Sequence, residues 1–376
     1  MYEQIDAFVA RLVEESTPER TAWNIEKLRQ GKSASWNYID GCMLTALLEM
    51  AELTGESRYA DFVGQMIDSF LLPDGSIRTY DEGKYNLDDV NEGRVLFALY
   101  ERTGREIYKA AAAVLRGQLD RQPRTAEGSF WHKKIYPDQV WLDGIYMAQP
   151  FYVLYELRFG GGDCSDTLRQ LETVYARMRD EKTGLYYHGY DASRRAFWAD
   201  PETGCSKSFW LRSIGWFSVA LADLIDILPP GSENERVRAI FRELMASVSR
   251  FADGESGMYW QVVDRGGSPG NYLETSGSSM LAYAMLKGAR LGALDKEYAA
   301  KGEKTFHGMM DRYLTVADGK LDLGGICLVA GLGPESDRRR DGTYAYYISE
   351  PVVRNDAKGV APFLLCYTEI KRLGRA

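Results

Sequence analysis

Asp143 carries the strongest chemical signal in the chain. It follows Trp141 and precedes the almost wholly apolar run Ile145-Tyr146-Met147-Ala148-Gln149-Pro150-Phe151-Tyr152. A carboxyl group in that setting is poorly solvated, which disfavours its anion, raises its pKa and equips it to act as a general acid near neutral pH. Asp is also a favoured helix N-cap, so position alone leaves capping open as a second reading. Asp88 and Asp89, in Asn86-Leu87-Asp88-Asp89-Val90-Asn91-Glu92, divide the same way. They are first-turn acids that complement a helix dipole, or a second carboxylate that pushes one member of a pair toward protonation.

His132-Lys133-Lys134 follows the turn at Gly128, and His188 follows the turn at Gly184. Two of the chain's 3 histidines are therefore expected on equivalent loops facing one opening, with His307 in a structural helix. No pair has the His-x3-His or HExxH spacing of a zinc site, so no metal is expected. Arg212 and Trp216 lie four apart on one helix face. With Lys133 they offer positive charge and a stacking plate to a sugar acid, or else form a core tryptophan with an arginine at the rim. No GxSxG elbow is read in the chain, no phosphate loop, and no dinucleotide fingerprint between a strand and a helix, so serine nucleophiles and nucleotide cofactors are disfavoured.

Helices must position these groups. Acidic or polar residues followed by Gly recur at Asp74-Gly75, Glu127-Gly128, Thr183-Gly184, Ser256-Gly257 and Asp318-Gly319, and a second series of turns lies between them at Gly55, Gly104, Gly160-Gly161-Gly162, Gly231 and Gly292. Two alternating turn series imply paired helices. Segments at about 42–54, 88–103, 140–158, 209–228, 273–291 and 356–373 are apolar nearly all round, as an inner ring would be. Segments at about 3–16, 57–72, 105–121, 165–180, 233–252 and 296–313 carry one apolar stripe and a charged face, as an outer ring would. Six of each predict an all-α, double-layered (α/α)6 toroid formed by residues 1–376 as a single domain; an open solenoid is the structural alternative, against which the aromatic load argues for closure around a cavity. Strand signals are weak and confined to loops such as Leu185-Tyr186-Tyr187-His188, so any sheet should be short. Inner helices that start at one mouth bring their first residues to a common funnel.

The 376 residues are 45% hydrophobic and 27% charged, with 46 Lys plus Arg against 54 Asp plus Glu, a net charge of −8. The longest basic block is Arg338-Arg339-Arg340, so nucleic acid is an improbable partner. The 5 cysteines are far apart and form no CxxC, which indicates buried thiols rather than disulfides or a zinc knuckle. The N-terminal MYEQIDAFVARLVEES has no uninterrupted apolar core of a signal peptide, and no window reaches the roughly 20 apolar residues of a membrane span. A cytoplasmic protein with no membrane partner is expected.

Three blocks in order carry a resemblance: Gln139-Val140-Trp141-Leu142-Asp143-Gly144-Ile145-Tyr146-Met147, Phe209-Trp210-Leu211-Arg212-Ser213-Ile214-Gly215-Trp216, and Tyr347-Ile348-Ser349-Glu350-Pro351-Val352-Val353 with Asn355-Asp356-Ala357-Lys358-Gly359-Val360. From Trp36 to Phe363 the chain resembles glycoside hydrolase family 105, the unsaturated rhamnogalacturonyl hydrolases, relatives of the unsaturated glucuronyl hydrolases of family 88. The resemblance implies an (α/α)6 barrel, no metal or other cofactor, and a small oligosaccharide substrate, an unsaturated galacturonate linked to rhamnose. The implied reaction is hydration of the C4=C5 vinyl ether. Asp143 would be the acid and base and Asp88 the supporting carboxylate. Tyr38, His132, Lys133, Trp141, Met147, His188, Trp210, Arg212, Trp216 and Gln261 would line the pocket, with Arg212 and Lys133 toward the uronate carboxylate. Alternatives are an unsaturated glucuronyl hydrolase acting on ulvan or glycosaminoglycan fragments, a sugar epimerase using His132 and His188, and a non-catalytic carbohydrate-binding protein on the same ring.

Overall fold

A computed structural model describes residues 2–317 and 319–374, and Asp318 of the turn series lies outside the described residues. Fourteen helices are found among the described residues. The inner ones are α3 (Tyr38–Thr54), α5 (Arg94–Thr103), α7 (Leu142–Arg158), α9 (Leu211–Ile227), α11 (Thr275–Arg290) and α14 (Ala357–Arg372). The outer ones are α1 (Tyr2–Glu14), α4 (Ser57–Phe70), α6 (Glu106–Arg121), α8 (Ser165–Met178), α10 (Ser232–Val248) and α12 (Glu297–Tyr313). Two short helices, α2 (Ile25–Gln30) and α13 (Tyr344–Ser349), lie in loops. Each inner helix packs on the next, and α14 packs back on α3, so the inner ring closes. The (α/α)6 toroid read from the turn series is the observed fold.

The hydrophobic pattern explains the layering. Every residue of α9 from Leu211 to Ile225 is buried, because this helix is covered by its ring neighbours and by α10. On α10 only one stripe, Val237, Ile240, Phe241, Leu244 and Met245 among it, is buried. At the seam, the Tyr367 hydroxyl on α14 donates to Asp6 at 3.0 Å, and Lys371 meets Asp6 at 3.2 Å, which fixes α1 against the last inner helix.

One backbone contact recurs at the mouth. The first residue of an inner segment donates its N–H to a carbonyl in the loop beyond the following outer helix: Leu87 to His132 at 3.1 Å, Leu142 to His188 at 3.1 Å, Leu211 to Gln261 at 3.0 Å and Thr275 to Gly325 at 2.9 Å. Ala357 closes the circle by donating to Trp23 at 2.9 Å. In the first repeat the hydroxyl of Thr79 substitutes, accepting from the N–H of Trp36 at 2.8 Å. These links bring His132, His188 and Gln261 to equivalent stations around one opening.

The sheets are short, as expected, but fall beside the anticipated place. β1 (Gln139–Trp141) pairs antiparallel with β2 (Gly189–Asp191), while Leu185–His188 precedes the strand. β3 (Leu314–Ala317) pairs with β4 (Lys320–Leu323), and β5 (Ile326–Cys327) with β6 (Val352–Val353). The second inner segment also departs from expectation, since Leu87–Gly93 is a 3-10 turn that leads into α5. Close packing enforces it: a Cβ on Gly93 would lie 2.9 Å from Cε2 of Phe151, and one on Gly41 would lie 2.7 Å from the Glu92 Cα.

Deep in the ring, Asp223 on α9 holds Lys287 at 2.9 Å and Arg94 at 2.7 Å; Asp223 and Lys287 are buried and Arg94 is nearly so. Among the described residues no helix is long and apolar enough to cross a membrane.

Candidate active site

The β1–β2 register creates the centre of the site. Trp141 stands opposite Gly189, so the residue two places after Trp141 meets the one just before Gly189. Oδ2 of Asp143 consequently lies 3.1 Å from Nε2 of His188. The other ring nitrogen, Nδ1, is 2.7 Å from the hydroxyl of Tyr347. Burial pushes the Tyr347 pKa well above its usual value, so it remains a phenol, and its hydrogen bond with Nδ1 fixes the ring with Nε2 facing Asp143.

Asp143 does not cap its helix. It is the second residue of α7, the N-cap position is Trp141, and no side chain caps that end. The expected rise of its pKa is corrected as well. Burial pushes the carboxyl up, but His188, by its charge and hydrogen bond, and His132 beyond it outweigh that and hold it below its ordinary value. The apolar residues after Asp143 are near in sequence, whereas the two imidazoles are near in space.

Asp88 is likewise no cap, because Asn86 takes that role and accepts from the Asp88 N–H at 3.2 Å. The Asp88 carboxylate meets Lys133 at 2.6 Å and lies 3.5 Å from Nε2 of His132. Burial drives the pKa of His132 down to about 4, more than the charge of Asp88 can restore, so this imidazole is neutral at pH 7. The raised carboxyl in this region is Asp89, pushed up to about 6 by burial and then by the adjoining Asp88.

Aromatic rings wall the centre. His132 stacks on Trp141 at 4.4 Å, Trp141 stacks on Tyr136 at 4.7 Å, and His188 contacts Trp141 at 5.3 Å and Trp210 at 4.7 Å. Tyr38 is partly exposed and approaches Trp216 edge-on at 6.5 Å. Trp216 itself is buried and stacks on Tyr146 at 4.7 Å, and Met147 is buried in the core. Gln261 donates to the carbonyl of Tyr347 at 3.1 Å. Its Oε1, the indole N–H of Trp210 and Nδ1 of His132 are buried without a protein partner.

The two cations singled out in the sequence are differently placed. The guanidinium of Arg212 is buried under Trp210, 5.0 Å from the ring, and donates to the carbonyl of Cys327 at 2.6 Å and to Ser276 Oγ at 3.3 Å. It anchors the C-terminal loop and does not share an open face with Trp216. Lys133 keeps partial exposure but is engaged by Asp88.

Sequence reading did not single out Tyr347 and Tyr136 as site residues. The aromatic run Tyr344-Ala345-Tyr346-Tyr347 was the available signal for one, and Tyr136 sits four residues after His132. Among the described residues no three His, Cys, Asp or Glu side chains stand together as a metal site would require. The expectation that no GxSxG string is present is corrected: Gly266-Gly267-Ser268-Pro269-Gly270 has that spacing, but it lies in an irregular turn before α11, not between a strand and a helix.

A sequence model of Glycosyl Hydrolase Family 88 matches residues 9–374. A family 105 glycoside hydrolase from C. acetobutylicum ATCC 824 has 37% identity and a TM-score of 0.90, with 99% of each chain covered. Protein Atu3128 of Agrobacterium fabrum is 40% identical over 235 residues, which are 61% of this chain and 100% of that protein. The unsaturated glucuronyl hydrolase of Bacillus sp. GL1, responsible for the degradation of glycosaminoglycan, shares the fold, with a TM-score of 0.65 and 15% identity over 100% of this chain and 97% of that one.

Proposed function

The chain belongs to the glycoside hydrolases of families 88 and 105, and from that premise we propose that it removes a 4,5-unsaturated galacturonate from the non-reducing end of rhamnogalacturonan fragments. The observation that carries the chemistry is Asp143 held 3.1 Å from His188 within an aromatic enclosure. A single carboxyl so placed can give a proton and take one back, which is all that hydration of a vinyl ether demands.

In this reading the protonated carboxyl of Asp143 delivers its proton to C4. Water adds its oxygen to C5, and its displaced proton returns to the Asp143 carboxylate. The C5 hemiketal then opens to a ketone, and the hemiacetal left at C1 expels the saturated sugar. One water is consumed, and the acid is regenerated.

In the free protein Asp143 is ionised, because its pKa lies below the ordinary value. An anionic uronate entering the same enclosure adds a like charge and raises that pKa, so proton uptake accompanies substrate binding. His188, oriented by Tyr347, positions the carboxylate. Asp88, tied to Lys133, is the supporting carboxylate. Tyr38, partly exposed, offers surface for a sugar ring, whereas Trp210 is buried. The whole chain acts as one catalytic domain, and we place it in the cytoplasm on small imported oligosaccharides, a reading supported by 5 buried, unpaired cysteines.

The test is to mix the protein with unsaturated galacturonyl-rhamnose and follow the ultraviolet absorbance of the C4=C5 bond. Loss of absorbance with release of rhamnose supports the proposal. A flat trace on this substrate, with turnover of ulvan-derived or glycosaminoglycan-derived unsaturated disaccharides, overturns the rhamnose specificity. A flat trace on all of them overturns the hydrolase reading.

A further inference from the structure

Arg340 is a charge that neither the fold nor the hydration scheme consumes. It ends the run Arg338-Arg339-Arg340 in the loop between β5 and α13. Arg338 pairs with Glu335 at 2.5 Å and Arg339 with Glu350 at 2.9 Å. Among the described residues no carboxylate comes within 4.0 Å of the Arg340 guanidinium. Its neighbours are the phenols of Tyr346, with which it shares a hydrogen bond, and Tyr136, and the charge of Asp337 acts on it from farther off.

The side chain turns toward the aromatic wall. A Cβ on Gly331 would collide with an Nη of Arg340 while lying 3.3 Å from Cζ3 of Trp141, so the glycine leaves the guanidinium room beside the indole. Trp141 is the ring against which both His132 and His188 lie. Arg340 remains partly exposed there. A guanidinium half withdrawn from water against aromatic rings, with no carboxylate in contact, is a poor structural element and a good receptor for an oxyanion. The other two cations of this region are committed, Lys133 to Asp88 and Arg212 to backbone carbonyls.

We propose that Arg340 determines specificity by pairing with an oxyanion of the substrate. Two sources share that chemistry, the carboxylate of the terminal unsaturated uronate and an acid group on the sugar that follows. The inference rests on the reading of the protein as an unsaturated uronyl hydrolase.

The experiment compares wild type, Arg340→Gln and Arg340→Lys on three substrates: unsaturated galacturonyl-rhamnose, its uronate methyl ester, and an unsaturated disaccharide sulfated on the second sugar. Loss of one charge-assisted pair raises KM by about tenfold to a hundredfold. If the uronate is the source, Arg340→Gln raises KM for both free acids with little change in kcat, leaves the methyl ester unaffected, and Arg340→Lys recovers part of the loss. If the source is the second sugar, the rise is confined to the sulfated substrate. Equal losses on acid, ester and sulfated substrates, or no loss on any, overturn the proposal and leave Arg340 a loop anchor or a bystander.

Calorimetric binding of galacturonyl-rhamnose and its methyl ester separates this from failure of the hydrolase reading. A wild type that turns over nothing yet prefers the acid, a preference absent in Arg340→Gln, supports the inference while the hydrolase reading falls. No acid preference in an inactive wild type, together with no Arg340-dependent binding of the sulfated disaccharide, overturns both.

Discussion

Asp143 and His188 meet at 3.1 Å although 45 residues separate them, because Trp141 and Gly189 are paired across β1 and β2. That contact reverses the protonation expected of an aspartate embedded in apolar sequence, and each catalytic expectation below follows from it.

Asp143→Asn should fold normally and lose at least about a thousandfold in kcat, since an amide keeps the shape but supplies no proton. Thermal unfolding and the ultraviolet assay, run on one preparation, check both halves. A stable variant with wild-type turnover would refute the assignment.

Substrate binding should take up a proton near pH 7, because Asp143 starts ionised and must carry a proton to react. Titration calorimetry with a substrate analogue in buffers of different ionisation enthalpy measures that uptake. The uptake should vanish in Asp143→Asn, and its persistence there would assign the proton to another group, Asp89 being the first to examine.

Tyr347→Phe removes the hydroxyl hydrogen-bonded to Nδ1 of His188 and leaves a buried nitrogen without a partner. The loss should cost about 1–3 kcal/mol of stability. With His188 no longer fixed, kcat should fall by about tenfold to a hundredfold and the pH profile should shift. An unchanged pH profile would make Tyr347 a packing residue only.

His132 has a folded pKa of about 4, below its ordinary 6.5, so the unfolded chain binds the extra proton between those values. The folded state is therefore favoured above pH 6.5 and loses that advantage as the pH falls toward 4. At pH 5 this amounts to about 2 kcal/mol. Urea unfolding at pH 7 and pH 5 should show wild type losing more stability than His132→Gln by about that amount. Equal losses would mean that His132 is not held neutral.

Asp223→Ala should destabilise the ring by about 3–5 kcal/mol, because it strips the shared partner from buried Lys287 and nearly buried Arg94. The Asp223 carboxyl is pushed down to about 2; burial opposes this, but Lys287 and Arg94 prevail. Its contribution is complete above pH 4 and fades as the pH falls through about 2. Denaturant unfolding against pH should therefore show a steep acid loss in wild type that the variant lacks.

The sequence by itself determined the double ring of helices, since glycine turns and the contrast between all-apolar and one-striped segments depend only on local spacing. It also placed His132 and His188 on corresponding loops, because the repeat that counts the helices counts the loops too. Charge and partnership were settled only by tertiary structure. Asp143 is apolar in its sequence neighbourhood and polar in its spatial one, so its pKa moved opposite to expectation. Arg212 and Trp216 share a helix face at four-residue spacing, yet the C-terminal loop brings the carbonyl of Cys327 onto the arginine and turns a candidate ligand into an anchor. Tyr347 reaches His188 from 159 residues away. Ionisation energies depend on every group within several ångströms, and the chain alone does not say which groups those will be.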